Sequence, residues 1–204
     1  MENNNKDISK LKSQLAQALI LQIENSDDMS RISLEQLSVD IKTDIELVFS
    51  VVCDENALIL YWFNEEVSKI FTRLVGDFSN DKNASTQEKI LETLMSIFEA
   101  FDKRRHIVRY IHKWALKDVN FDVSFGAFIY NMCDRILVIS GDKKQNMLPQ
   151  SSFRSIRVKG LMFLLFKIIP VWLKDDSDDL SITYREIDQS LKQAREWAES
   201  FNII

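Results

Sequence analysis

Residues 33–49 read SLEQLSVDIKTDIELVF, and the spacing of the apolar positions in this stretch decides the architecture. Ser33 precedes Leu34 and Leu37, with Gln36 three places on, which is the pattern of a capping box that opens a short helix. Ile41, Ile45, Val48 and Phe49 follow at helical intervals and give another short helix directly behind it.

Moving outward, Ile8, Leu11, Leu15, Ala18, Leu19, Gln22 and Ile23 mark one face of an amphipathic first helix, and residues 24–31 form a polar break. On the other side Asp54 is placed to cap a long helix whose inward positions are Leu60, Phe63, Val67, Ile70, Phe71 and Leu74. Residues 76–84 are polar and read as a linker, so the chain divides into a helix-turn-helix-like part, 1–75, and a helical part, 76–204. Ser85 and Glu88 make a second capping box ahead of Ile90, Leu94, Ile97, Phe98 and Phe101. Further helices are expected over 104–117, 124–140, 155–173 and 179–201. No segment alternates apolar and polar residues long enough to compete as a strand. The expected fold class is all-α, with eight or nine helices.

Composition agrees. A chain of 204 residues, 46% hydrophobic and 28% charged, makes one globular domain of ordinary size, or one with a small appendage. Four glycines and two prolines leave little for β-turns, and no glycine-rich phosphate loop is present. Cys53 and Cys133 stand far apart, which suits a reducing compartment. His106 and His112 are six residues apart where a zinc-binding helix needs four, so neither a metal nor a cofactor is expected. Residues 1–7 are polar and lack a secretory core, so the protein is expected to stay where it is made. The apolar run 161–173 falls short of the roughly 20 residues that cross a bilayer. It reads as a buried helix that Pro170 kinks or ends.

Charge is unevenly placed. Between Glu24 and Asn56 stand nine acids and two bases (Arg31 and Lys42), a net of −7, while the whole chain carries only −5. DNA affinity comes mainly from lysine and arginine set against phosphates, and this region repels a polyanion. Lys103, Arg104, Arg105, Arg109, Lys113 and Lys117 lie in a window without acids, and Lys143, Lys144, Arg154, Arg157 and Lys159 follow. Such a run is a solvated face or a weak, salt-sensitive docking face for an anionic leaflet.

Three short helices followed by a long one resemble the opening of TetR-type regulators, although Val39-Asp40-Ile41-Lys42 stands where those proteins have Ala-Gly-Val-Ser. The second half narrows the resemblance. Asp134-Arg135-Ile136, Gly141-Asp142, Arg157, Leu161, the run from Trp172 to Ser177, Thr183-Tyr184 and Asp188 resemble the TetR-fold accessory family of ubiquinone biosynthesis, the ninth Coq protein and its bacterial relatives. Leu58-Ile59-Leu60 and, loosely, Trp114-Ala115-Leu116 fit as well.

The resemblance implies a non-enzymatic homodimer, joined through the C-terminal helices, that holds an isoprenoid lipid or quinone intermediate. It further implies presentation of that lipid to a membrane-associated demethoxyubiquinone hydroxylase. The setting would be the bacterial cytoplasm at the inner membrane, or the mitochondrial matrix. Residues 143–149 depart from the family, because the stretch is longer and lacks the aromatic pair that contacts the hydroxylase.

Phe125, Phe128, Met132, Phe163, Phe166 and Trp172 are the candidates for lining a lipid cavity; ordinary core packing uses the same residue types. The last helix carries a stripe of Leu180, Tyr184, Ile187, Leu191, Ala194, Ala198 and Phe201, which a core, a dimer or a membrane would cover. For the membrane case the contact residues are Ile187, Leu191, Trp197 and Phe201. Asp175 and Asp176 read as helix-end caps and not as a catalytic pair, and Cys133 reads as a small buried residue. The alternative function is a ligand-responsive transcription regulator that binds DNA.

Overall fold

The structure, a computed structural model of the 204-residue chain, describes residues 2–25, 32–81, 83–115, 119–141 and 150–200. Among these the elements in order are α1 (Glu2–Asn25), α2 (Leu34–Asp40), α3 (Ile45–Val51), α4 (Glu55–Asn80), α5 (Thr86–Phe101), α6 (Arg105–Ala115), α7 (Val119–Ile139), α8 (Gln150–Trp172) and α9 (Ser181–Ser200), with a 3-10 turn at Asp102–Arg104. No described residue lies in a strand. No described helix is long and apolar enough to cross a membrane.

The chain forms two compact units, Met1–Ser68 and Lys69–Ile204. The division falls inside α4 and not in the expected linker. That helix runs through Gly76 to Asn80 because its last turn is anchored: Phe78 is buried, Lys89 Nζ lies 5.5 Å from its ring centre, and the same amine donates to the Phe78 carbonyl at 3.4 Å.

In the first unit α1 buries Leu11, Leu15, Leu19 and Ile23, the expected stripe, and adds Ala16 and Ile20. The inward residues of α2 and α3 are Leu34, Leu37 and Val48. Each such aliphatic side chain contributes roughly 1.5–3 kcal/mol when removed from water, so three anchors suffice to hold two very short helices. Polar ties fix the register: Ser13 Oγ donates to Glu65 Oε2 at 3.0 Å, and the Leu34 amide donates to Glu55 Oε1 at 2.9 Å. Asp54 caps α4 as the sequence predicts, accepting from the Ala57 amide at 2.8 Å.

In the second unit Ser85 and Glu88 complete their capping box, and Ile90, Leu94, Ile97, Phe98 and Phe101 are all buried. Helix α8 packs against α7 and α9, α5 against α7 and α9, and α6 against α7. Lys167 bridges α8 to α9, with its Nζ 2.7 Å from Glu186 Oε1 and donating to Ser190 Oγ at 3.1 Å. The Arg135 guanidinium lies 4.5 Å from the Phe71 ring centre. Pro170 does not end α8, which continues to Trp172. A proline this close to the end removes one helical bond, and its solvent-facing position leaves no buried carbonyl behind.

Candidate functional site

The α2–α3 pair has the geometry of a helix-turn-helix. Ser33 Oγ accepts from the Gln36 amide at 3.3 Å, which is half of the expected capping box. The other half is absent, because the Gln36 side chain donates instead to Asp40 Oδ1 at 3.0 Å, and Gln22 of α1 donates to the same carboxylate. Donating to this carboxylate turns the Gln36 amide toward the end of the helix, so its oxygen does not reach back to accept from the Ser33 N–H. The turn is made by Lys42, which takes a left-handed φ of 55°, and by the Thr43 amide, which donates to the Ser38 carbonyl at 2.9 Å. Glycine is the usual residue for such a turn, since any other side chain is crowded there.

Helix α3 follows with Asp44 as its cap, accepting from the Glu46 amide at 2.8 Å. At 100° per residue, Val48 faces inward and the outward arc runs Phe49, Glu46, Ser50, Leu47. Leu47 is 49% and Phe49 53% exposed. The surface that a helix-turn-helix presents to a duplex therefore carries one carboxylate, Glu46, and two apolar side chains on its second helix, with the exposed Asp44 at the helix start. Lys42 is the sole base between residues 33 and 51.

The Trp172–Asp188 pattern builds the corner between α8 and α9. Trp172 is buried, with its ring 5.3 Å from that of Phe98, and the Arg105 guanidinium lies 5.5 Å from its centre. Asp175 is fully covered, and its carboxylate accepts from the Ser177 amide (3.0 Å) and hydroxyl and from the Thr183 amide (2.7 Å) and hydroxyl (2.6 Å). Burial pushes this carboxyl upward, but the Ser177 and Thr183 bonds outweigh it and leave the pKa at about 2. Asp175 thus caps the start of α9, while Asp176 is exposed. Leu180, next in the corner, is buried at a φ of 52°.

Two arginines reach this corner in a way the sequence did not signal. Arg105 Nη1 donates to the Asp175 carbonyl and its Nε to Asp102 Oδ1 at 2.7 Å; Arg109 Nη2 donates to the Leu173 carbonyl at 3.0 Å. Part of the basic window is therefore spent on backbone carbonyls that the end of α8 leaves open. Lys103 and Lys159 are exposed. The Lys113 and Arg154 side chains, and residues Lys117, Lys143 and Lys144, lie outside what the structure describes.

The six cavity candidates do not gather around one space. Phe125 and Phe128 are half-buried, with ring centres 6.3 Å apart, and Met132 is buried beside them on α7. Trp172 belongs to the corner. Phe163 is 75% and Phe166 49% exposed, on an outward stripe of α8 that also holds Ile156, Gly160 and Pro170. The membrane-contact candidates divide as well. Ile187 and Leu191 are buried in the second unit, whereas Trp197 is 71% exposed and every residue from Lys192 to Trp197 faces solvent. Phe201 lies outside the described residues. Cys133 is buried, which pushes its thiol up to about 12, so it carries no thiolate at neutral pH.

No protein-family model matches the chain, and no curated protein matches it. Among solved structures the chain is similar to the crystal structure of a TetR transcriptional regulator from Nitrosomonas europaea, over 91% of this chain and 98% of that one, with a TM-score of 0.68 and 10% identity. The fold is the TetR fold. On that frame α2 and α3 occupy the helix-turn-helix and α4 is the long helix that follows it, which is the order anticipated from residues 33–49.

Proposed function

We propose that this chain is a non-catalytic, lipid-handling accessory protein on a TetR frame, of the ubiquinone-biosynthesis kind that its Trp172–Asp188 pattern resembles. In this reading it binds an isoprenoid lipid or quinone intermediate, works as a homodimer at a membrane surface, and presents its cargo to a hydroxylase. The observation that carries the reading is the outward arc of α3, where Glu46 stands between Phe49 and Leu47, and Asp44 already fills the helix start. A duplex brought against this face meets carboxylates where phosphate-neutralising bases are needed.

The second unit supports the reading in two ways. The α8 stripe leaves Phe163 and Phe166 uncovered in a single chain, which suits a second copy. The later turns of α9 expose residues 192–197, among them Trp197, a residue suited to the boundary between water and lipid.

Native mass spectrometry of protein purified without detergent tests the proposal. A bound species with the mass of an isoprenoid quinone or its precursor is expected; repeated preparations without one sink it. The regulator reading is favoured by the likeness to the Nitrosomonas protein, a TetR transcriptional regulator. Tight, sequence-selective retardation of duplex DNA at physiological salt would establish that reading and remove ours.

A further inference from the structure

A groove of about 460 Å³ lies between α5 and the beginning of α9. Leu91, Met95 and Tyr184 give it an apolar lining, with Met95 buried and the Tyr184 side chain open to solvent. Around them stand Glu88, Glu92, Glu99 and Asp179, and no lysine, arginine or histidine among the described residues lines the groove. The α5 positions 88, 91, 92, 95 and 99 share one helical face, so the rim and the lining come from a single stripe.

The carboxylates differ in what they already do. Glu88 accepts from the Ser85 amide and hydroxyl, and Asp179 accepts from the Ser181 amide at 3.1 Å. The Glu92 and Glu99 side chains are exposed and bonded to no described residue. Four carboxylates with no basic side chain beside them among the described lining residues favour a cationic occupant. It is not a bare metal ion, because no three acidic, histidine or cysteine side chains among the described residues are placed to hold one. An apolar lining adds nothing to a hydrated ion, but it removes an alkyl or aromatic body from water. Tyr184 offers a ring face to an ammonium, and Met95 an adaptable thioether. The volume lies within the roughly 300–1,000 Å³ typical of small-molecule sites.

We infer that this groove binds an amphiphilic organic cation, an ammonium carrying an alkyl or aromatic body. The charged head meets Glu92 and Glu99, and the body lies along Leu91, Met95 and Tyr184. The inference is independent of the lipid reading above, since it concerns a different face of the second unit and a ligand of opposite character.

The test uses the full chain with 13C-labelled methionine methyls, the Met95 signal being assigned by Met95→Leu. Decyltrimethylammonium below its micelle concentration is the probe, and decyl glucoside is the chain-matched neutral control. A saturable shift of the Met95 methyl with the ammonium alone is expected. In Glu92→Gln/Glu99→Gln the apparent affinity should fall about ten-fold, the Coulombic share of two carboxylates near a surface-bound cation. An equal response to decyl glucoside, or no saturable shift with the ammonium, overturns the inference on the unmodified protein. Undiminished binding in the double variant overturns the role of the rim. A lysine-rich peptide that shifts Met95 where the ammonium does not also overturns it, in favour of a protein partner.

Discussion

Replacing Asp175 by asparagine tests whether the corner between α8 and α9 is held by a charge or merely by shape. The carboxylate is covered and accepts four bonds, two from Ser177 and two from Thr183. Its pKa of about 2 against an ordinary 3.8 corresponds to at most about 2.4 kcal/mol of stability. Ser177 is only half-buried and Asp176 is exposed, so water lies close by and about 1–2 kcal/mol is the better figure. An asparagine amide must also turn its NH2 toward one pair of donors, which leaves a buried donor unmatched at a further cost of about 1–3 kcal/mol. The expected loss at neutral pH is about 3 kcal/mol, or about 6–12 °C in midpoint for a chain of this size. Because folding lowers this pKa, the charge-dependent part is complete above about pH 4 and fades as the pH falls toward about 2. Urea unfolding followed by far-UV circular dichroism, on both proteins from neutral pH down to about pH 3, measures the gap directly. It should hold steady to about pH 5 and narrow by about 1 kcal/mol below pH 4. Equal stability at neutral pH, or a gap indifferent to acid, refutes the reasoning.

Lys42→Gly relieves a left-handed backbone at the helix-turn-helix turn and should raise stability by about 0.5–1 kcal/mol in urea unfolding. Ser85→Ala removes both bonds that the hydroxyl makes in the α5 capping box; about 1 kcal/mol should be lost in the same assay. Asp44→Lys with Glu46→Lys should create salt-sensitive, sequence-independent DNA binding, read by gel retardation, with no retardation expected for the parent on the reading proposed above. If the homodimer proposed above forms through the α8 stripe, Phe163→Asp should weaken it about 100-fold or more in analytical ultracentrifugation while leaving the far-UV spectrum intact, because the side chain is exposed in the single chain.

Where apolar residues were confined to one stripe, the sequence was legible. Leu11, Leu15, Leu19 and Ile23 on α1, and Ile90, Leu94, Ile97, Phe98 and Phe101 on α5, are buried as their spacing requires. Helix α8 is different, because it is apolar around most of its circumference. Periodicity then has no preferred face to report, and nothing in the pattern distinguishes outward Phe163 and Phe166 from inward Leu164, Leu165 and Ile168. The Arg105 and Arg109 contacts were illegible for another reason. They join α6 to carbonyls 64 to 70 residues further along, a separation that no local pattern encodes. Gly76 misled because composition alone marks a linker there, while one buried aromatic two residues later keeps the helix going.

The front of the molecule separates two kinds of information that a motif search merges. Burying Leu34, Leu37 and Val48 is enough to seat α2 and α3, and none of these three can touch a ligand. What the pair does is written in the residues left outside: Val39, Glu46, Leu47, Phe49 and Ser50, all exposed and free to vary without disturbing the seats. A frame can therefore persist at 10% identity, because the few residues that seat it are not the ones that face outward. Fold likeness to a transcriptional regulator then speaks to the seats of these helices and not to what their outward residues meet. The same logic applies at the other end. Ile187 and Leu191 secure α9 to its own core, so any docking by that helix must rest on its last, uncovered turns around Trp197.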